Sequence, residues 1–165
     1  MTSILKVDNI QKANGSTPKA NDLGINTTGT VLQVLQTSTT TAASIAQDAF
    51  TTTGFTLTIT PSKATSKVLL TGNLFLLCPN GAQASINIYD SISSGFITSQ
   101  AYGLGGPYFA SAGYYECVTT FSFLASVNST SARTYTIYGR STGADPAVFY
   151  ASNRLSTFTA MEIGG

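Results

Sequence analysis

From Thr30 onward, apolar residues recur every second position and not every 3.6, the spacing of side chains that alternate across a pleated strand. The clearest run is Phe55-Thr56-Leu57-Thr58-Ile59-Thr60, which puts Phe55, Leu57 and Ile59 on one face and three threonines on the other. Pro61 lacks an amide hydrogen for a ladder and ends it. Similar runs at 31–36, 67–78, 84–90, 96–102, 114–124, 133–140, 147–152 and 157–163 are bounded by Gly, Pro, Asn or Ser and bring the total to about nine strands. Residues 41–50 hold helix-friendly alanines, but flanking threonines make the segment a loop or a single helical turn. The expected fold is all-β, an antiparallel two-sheet sandwich. A jelly roll fits the strand count better than an immunoglobulin-like sandwich.

A chain of 165 residues is one domain in size and can bury its own core. Its polarity is hydroxyl and not ionic: Ser and Thr number 45, while charged residues are 9%. There is no His, which removes imidazole as general base and metal ligand. A net charge of +1 with no Lys/Arg run leaves nothing to bind a phosphate backbone or an anionic membrane, so neither nucleic acid nor membrane is expected as a partner. No apolar run reaches the roughly 20 residues of a membrane helix, and the opening residues do not read as a signal peptide. Cys78 and Cys117 fit no metal-ligand spacing and read as free thiols in preference to a bridge.

Residues 1–29 differ from the sandwich domain expected over 30–165. They mix charges with turn formers and carry a sparse apolar cluster, Ile4, Leu5, Val7 and Ile10, too small to fold around and too apolar for a free tail. The segment reads as an extended docking arm, with those four residues as the contact; a frayed terminus is the competing reading. In the run 68–77 the second face, Leu69, Thr71, Asn73, Phe75 and Leu77, is also largely apolar. Only one face of each sheet meets the core of a sandwich, so the surplus predicts a homo-oligomer interface.

Catalytic signatures are missing. There is no GxSxG, GxGxxG, P-loop or HExxH, and Gly103-Leu104-Gly105-Gly106-Pro107 lacks the spacing to cradle a phosphate, so no cofactor is expected. A glycosidase-type acid/base pair would be drawn from Glu116, Glu162, Asp90 and Asp145; the plainer reading makes these surface charges or partners of Arg133, Arg140 and Arg154. Asp145 alone is far below the oxygen count of a calcium site, and no metal is expected. Tyr102, Tyr108, Phe109, Tyr114 and Tyr115 are candidates for oligomer or glycan contact, against a plainer role in core packing.

The arm carries a further signal. Ile4-Leu5-Lys6-Val7-Asp8-Asn9-Ile10-Gln11-Lys12-Ala13-Asn14-Gly15-Ser16, followed by Pro18-Lys19-Ala20-Asn21-Asp22-Leu23-Gly24-Ile25, resembles the opening of small virion structural proteins of tailed bacteriophages, especially cyanophages and marine phages. The likeness continues through Val31-Leu32-Gln33-Val34-Leu35-Gln36, through Ile59-Thr60-Pro61-Ser62 with Ser66-Lys67-Val68-Leu69, and through Ser156 to Ile163; it departs most over 96–113. The resemblance implies a jelly-roll-like sandwich, often trimeric, held to the particle by its N-terminal arm. The expected location is then the virion, assembled in the host cytoplasm, with other capsid or tail proteins as partners. A capsid decoration protein is favoured because one arm leads directly into one globular domain, whereas a fibre needs a repetitive shaft. A short tail or baseplate fibre with a host-glycan-binding tip is the alternative; a carbohydrate-active enzyme or a free lectin is a remoter one.

Overall fold

Eleven strands build the protein: β1 (Val31–Thr39), β2 (Ala43–Ile45), β3 (Thr51–Ile59), β4 (Lys67–Cys78), β5 (Ala82–Asp90), β6 (Gly95–Phe96), β7 (Tyr108–Phe109), β8 (Tyr115–Ser126), β9 (Arg133–Ser141), β10 (Ala147–Phe149) and β11 (Ser156–Ile163). The computed structural model describes residues 11, 13–16, 28–45, 48–78, 81–110, 113–143, 145–150 and 153–165. Ile4, Leu5, Val7 and Ile10 therefore lie outside the described residues, as does most of the arm.

Strand pairing is nested. β1 pairs with β11, β3 with β9, β4 with β8 and β5 with β7, all antiparallel, so that each pair encloses the next along the chain. One sheet runs β1-β11-β4-β8, with β10 and β2 continuing it beside the upper half of β4; the other runs β3-β9-β5, with β6 and β7 on the far side of β5. A ribbon doubled back and rolled in this way is a jelly roll, the all-β two-sheet sandwich that the alternation implied.

The core lies between the sheets. Phe55, Leu57 and Ile59 of β3 face Val68, Leu70, Leu74 and Leu76 of β4, with Ile86, Ile88, Ile137, Phe149 and Phe158 completing it, all buried. Each fully buried side chain of this kind contributes about 1.5–3 kcal/mol relative to exposure. The threonines of β3, Thr56 and Thr58, point to solvent.

Two segments differ from expectation. Residues 96–102 form no continuous strand: only Gly95–Phe96 is paired, and residues 101–104 turn. The edge of β5 that such a strand would occupy is taken by backbone from 97–107, through Ile97 N to Ile88 O, Leu104 N to Ile86 O, Ile86 N to Gly105 O and Ala84 N to Pro107 O. Glycine permits the approach, since a Cβ on Gly106 would lie 1.8 Å from the Ala84 carbonyl oxygen. Within 41–50, Ala43–Ile45 is a short strand because it finds β10 to pair with.

Both cysteines are free thiols, Cys78 buried and Cys117 partly so. Burial, with Cys117 close by, pushes the Cys78 thiol up to about 12. Thiolate is the reactive form. A thiol-reactive dye at pH 8 is therefore expected to label at most one cysteine in the native protein, Cys117, and both after denaturation; two equivalents reacting rapidly in the fold would contradict this placement.

Candidate functional site

Among the described residues, the three arginines and four of the acids are committed to structure. Asp90 Oδ2 accepts from Arg133 Nη1 at 3.0 Å with both side chains buried. Asp48 Oδ1 accepts from Arg140 Nε at 2.9 Å and Nη2 at 2.7 Å, and Glu116 Oε2 lies 2.8 Å from Arg154 Nη2. The plainer reading of the arginines as carboxylate partners is thus the observed one for Asp90 and Glu116, and Asp48 is the third acid. Glu162 has no solvent contact; its Oε1 accepts from the Ser62 amide and hydroxyl, both at 2.8 Å, and Oε2 from Gln33 Nε2 at 2.6 Å.

Glu116 and Glu162 do not form a catalytic pair. Glu116 stands opposite Leu77 and Glu162 opposite Val68 on the same strand β4. Nine residues of strand separate those positions by about 30 Å at ~3.3 Å per residue, whereas a glycosidase pair stands about 5–9.5 Å apart. Among the described residues no group of three or more acidic or cysteine side chains could hold a metal ion, and no helix is long and apolar enough to cross a membrane.

The candidate aromatic cluster divides in two. Phe109 of β7 stacks on Tyr115 at the start of β8, with centroids 4.3 Å apart, and the exposed Tyr108 and Tyr114 adjoin them in sequence. Tyr102 has another partner: the Arg140 guanidinium lies over its ring, 5.1 Å from the centroid, and also bonds the Ala101 carbonyl. Exposed tyrosines of this kind offer flat, amphipathic contact area at low conformational cost.

A second aromatic group was not singled out from the sequence. Tyr89, Phe96 and Tyr138 pack on the exterior of the β3-β9-β5 sheet, with Phe96 5.2 Å from Tyr138 and 5.4 Å from Phe50. The signal was present in the alternation: Tyr89 follows the inward Ile88 and Tyr138 follows the inward Ile137, so both must point out. Between β1 and β3 lies an open cleft of about 400 Å³ lined with hydroxyls, among them Thr37, Thr39, Thr53 and Tyr150. The Tyr150 and Thr53 hydroxyls share a 2.8 Å hydrogen bond, and burial raises the Tyr150 phenol well above its ordinary value.

The chemistry these surfaces support is adhesive: stacking, hydroxyl hydrogen bonds and apolar contact, with few free ions among the described residues. No protein-family model and no curated protein matches this chain.

Proposed function

We propose that this chain is a bacteriophage virion structural protein, a homotrimeric capsid decoration protein held to the shell by its N-terminal arm. The observation that carries the reading is the combination of a jelly-roll domain whose exterior is apolar in patches and, among the described residues, carries few unpaired charges, joined to an arm whose apolar cluster has too few residues for its own core. Surfaces of that composition adhere by contact and are little affected by salt, because few of their interactions are screened ion pairs. The likeness of the arm and of three strand segments to tailed-phage virion proteins supports the same conclusion. In this reading Ile4, Leu5, Val7 and Ile10 dock on the particle and the sandwich covers its surface.

Deleting residues 1–27 tests it. The deletion spares the Gly29 amide bond to the Gly164 carbonyl and that of Gly164 to Thr30, which tie β1 to the chain's end. A folded domain that no longer binds purified particles lacking the protein is expected; binding at full occupancy would reject the assignment.

A second reading, a short tail or baseplate fibre tip, is favoured by one feature: Tyr108 and Tyr114 are exposed beside the Phe109–Tyr115 stack, within and just after the segment 96–113 where the likeness to virion proteins is weakest. A host-glycan array response lost on Tyr108→Ala and Tyr114→Ala would select that reading.

A further inference from the structure

The edges of the two sheets are treated differently. β1 carries a register irregularity between Val31 and Gln33, β3 another between Thr52 and Thr56, and the outer edge of β5 is covered by β6, β7 and the loop between them. Bulges and covering chain are the ordinary means of blunting a strand edge. β8 has neither. It pairs with β4 in unbroken register from Lys67–Ser126 to Cys78–Tyr115, has no proline or lysine, bears one charge near its start, and forms a backbone ladder with no other strand among the described residues. An edge that long, left unguarded, is a template for another chain.

The face beside that edge matches it. Register aligns Val34 of β1, Met161 of β11, Leu69 of β4 and Leu124 of β8 in one row across the exterior of the sheet. Val34 is 54% and Leu124 50% exposed, and the other two are half-buried. Toward the far end of β4 and β8, Phe75 and Val118 form a second apolar pair. The charges on this face are Lys67 at one end and the Glu116–Arg154 pair at the other. On the opposite side of Leu124, an open groove of about 350 Å³ runs between β8 and β6, lined by Phe96, Ile97, Phe123 and Ala125 together with Ser93, Ser126 and Asp90, whose carboxylate is paired with Arg133.

We propose that the β8 edge, its apolar row and this groove form the contact surface for a second copy of the chain. A nearly uncharged, apolar surface meets no like-charge repulsion from its own copy and offers nothing to a strongly charged partner. The extent also bears on this: seven paired rows between β11 and β4 and twelve between β4 and β8 cover roughly 300 Å² in projection, and the β8 edge, about 40 Å long at ~3.3 Å per residue, and the groove extend it toward the ~800 Å² per partner of a stable interface. The proposal deepens the reading of the protein as a homo-oligomer and is independent of head or tail placement.

The test is sedimentation velocity on full-length protein, wild type against Leu124→Glu, with Thr56→Glu on the exterior of the other sheet as control. The wild type and Thr56→Glu are expected to form the same oligomer, and Leu124→Glu to dissociate at least tenfold more readily. Amide exchange on the wild type gives a second readout that needs no variant: residues 115–126 are expected to be protected at high concentration and to lose protection on dilution. An unchanged oligomer in Leu124→Glu would overturn the surface while leaving the oligomer reading intact, as would equal dissociation of both variants. A wild type that stays single at 100 µM would overturn both, and β8 protection independent of concentration would assign the edge to the chain's own arm.

Discussion

Arg133→Met is expected to destabilise the protein by about 3–5 kcal/mol, the usual cost of breaking a buried ion pair by removing one partner. The guanidinium sits at the inner surface of β9, where alternation demands an inward residue, and is 2% exposed. Its Nη1 donates to Asp90 Oδ2 at 3.0 Å and to the Tyr135 hydroxyl at 3.4 Å, and its Nη2 to the Val127 carbonyl, while Nε meets no acceptor among the described residues. Methionine would fill the volume but leave the Asp90 carboxylate and the Val127 carbonyl without their donors in a site closed to water. For a domain of this size the melting temperature should fall by roughly 6–20 °C. Because most of that cost is the stranded carboxylate, the double variant Arg133→Met with Asp90→Asn should be more stable than Arg133→Met alone; the neutral amide side chain keeps an oxygen that can accept from the Ile92 amide, as Asp90 Oδ1 does at 3.0 Å. Thermal denaturation of the three proteins decides it, and a loss under about 1 kcal/mol in the single variant would mean that the pair is not buried as described.

Glu162→Gln is expected to cost about 2–3 kcal/mol at neutral pH, and the difference from wild type should shrink in acid. All three donors to the carboxylate approach within 2.8 Å, and an amide would turn an NH₂ group toward either Gln33 or Ser62, setting donor against donor. Burial alone would raise the Glu162 pKa, but the donors together, led by Gln33, outweigh it and hold the carboxyl below the ordinary carboxylate range. A group that titrates lower in the fold than in the unfolded chain binds protons more tightly when unfolded. Its stabilisation is therefore complete above the ordinary value of 4.5 and is lost as the pH falls through the folded-state value. Urea denaturation of both proteins between pH 7 and pH 3 should show the gap closing in that range. A gap that stays constant would show that the charge on Glu162 contributes nothing.

These two residues also show where reading the sequence stops. Glu162 and Asp90 were visible as carboxylates in or beside strands, and Arg133 as a plausible ion partner, but their burial depends on which strands adjoin them. Gln33 reaches Glu162 because β1 closes on β11, across 129 positions of chain. The same limit applied to the aromatics: Phe109 and Tyr115, near each other in sequence, also stack, whereas Tyr102, close by in the chain, lies instead under the guanidinium of Arg140, itself paired with Asp48.

What the sequence by itself determined is local. A period of two, set by pleat geometry, identified the long strands and their inward faces, so that β4 matches its expected bounds and Phe55, Leu57 and Ile59 lie in the core as the alternation required. The scarcity of charge and the missing imidazole bear on chemistry through composition alone. The tertiary structure decided everything that depends on pairing across the chain: the nested order of the two sheets, the capture of Ala43–Ile45 as a strand by β10, and the replacement of a strand at 96–102 by glycine-rich backbone against β5. It also left β8 as the long edge of the sandwich without a bulge or cover among the described residues, β2 being an edge of only three residues. Alternation tells each side chain which way to face, but a strand's neighbour is chosen by the competition of distant segments for the same backbone donors and acceptors, and no local pattern records the outcome.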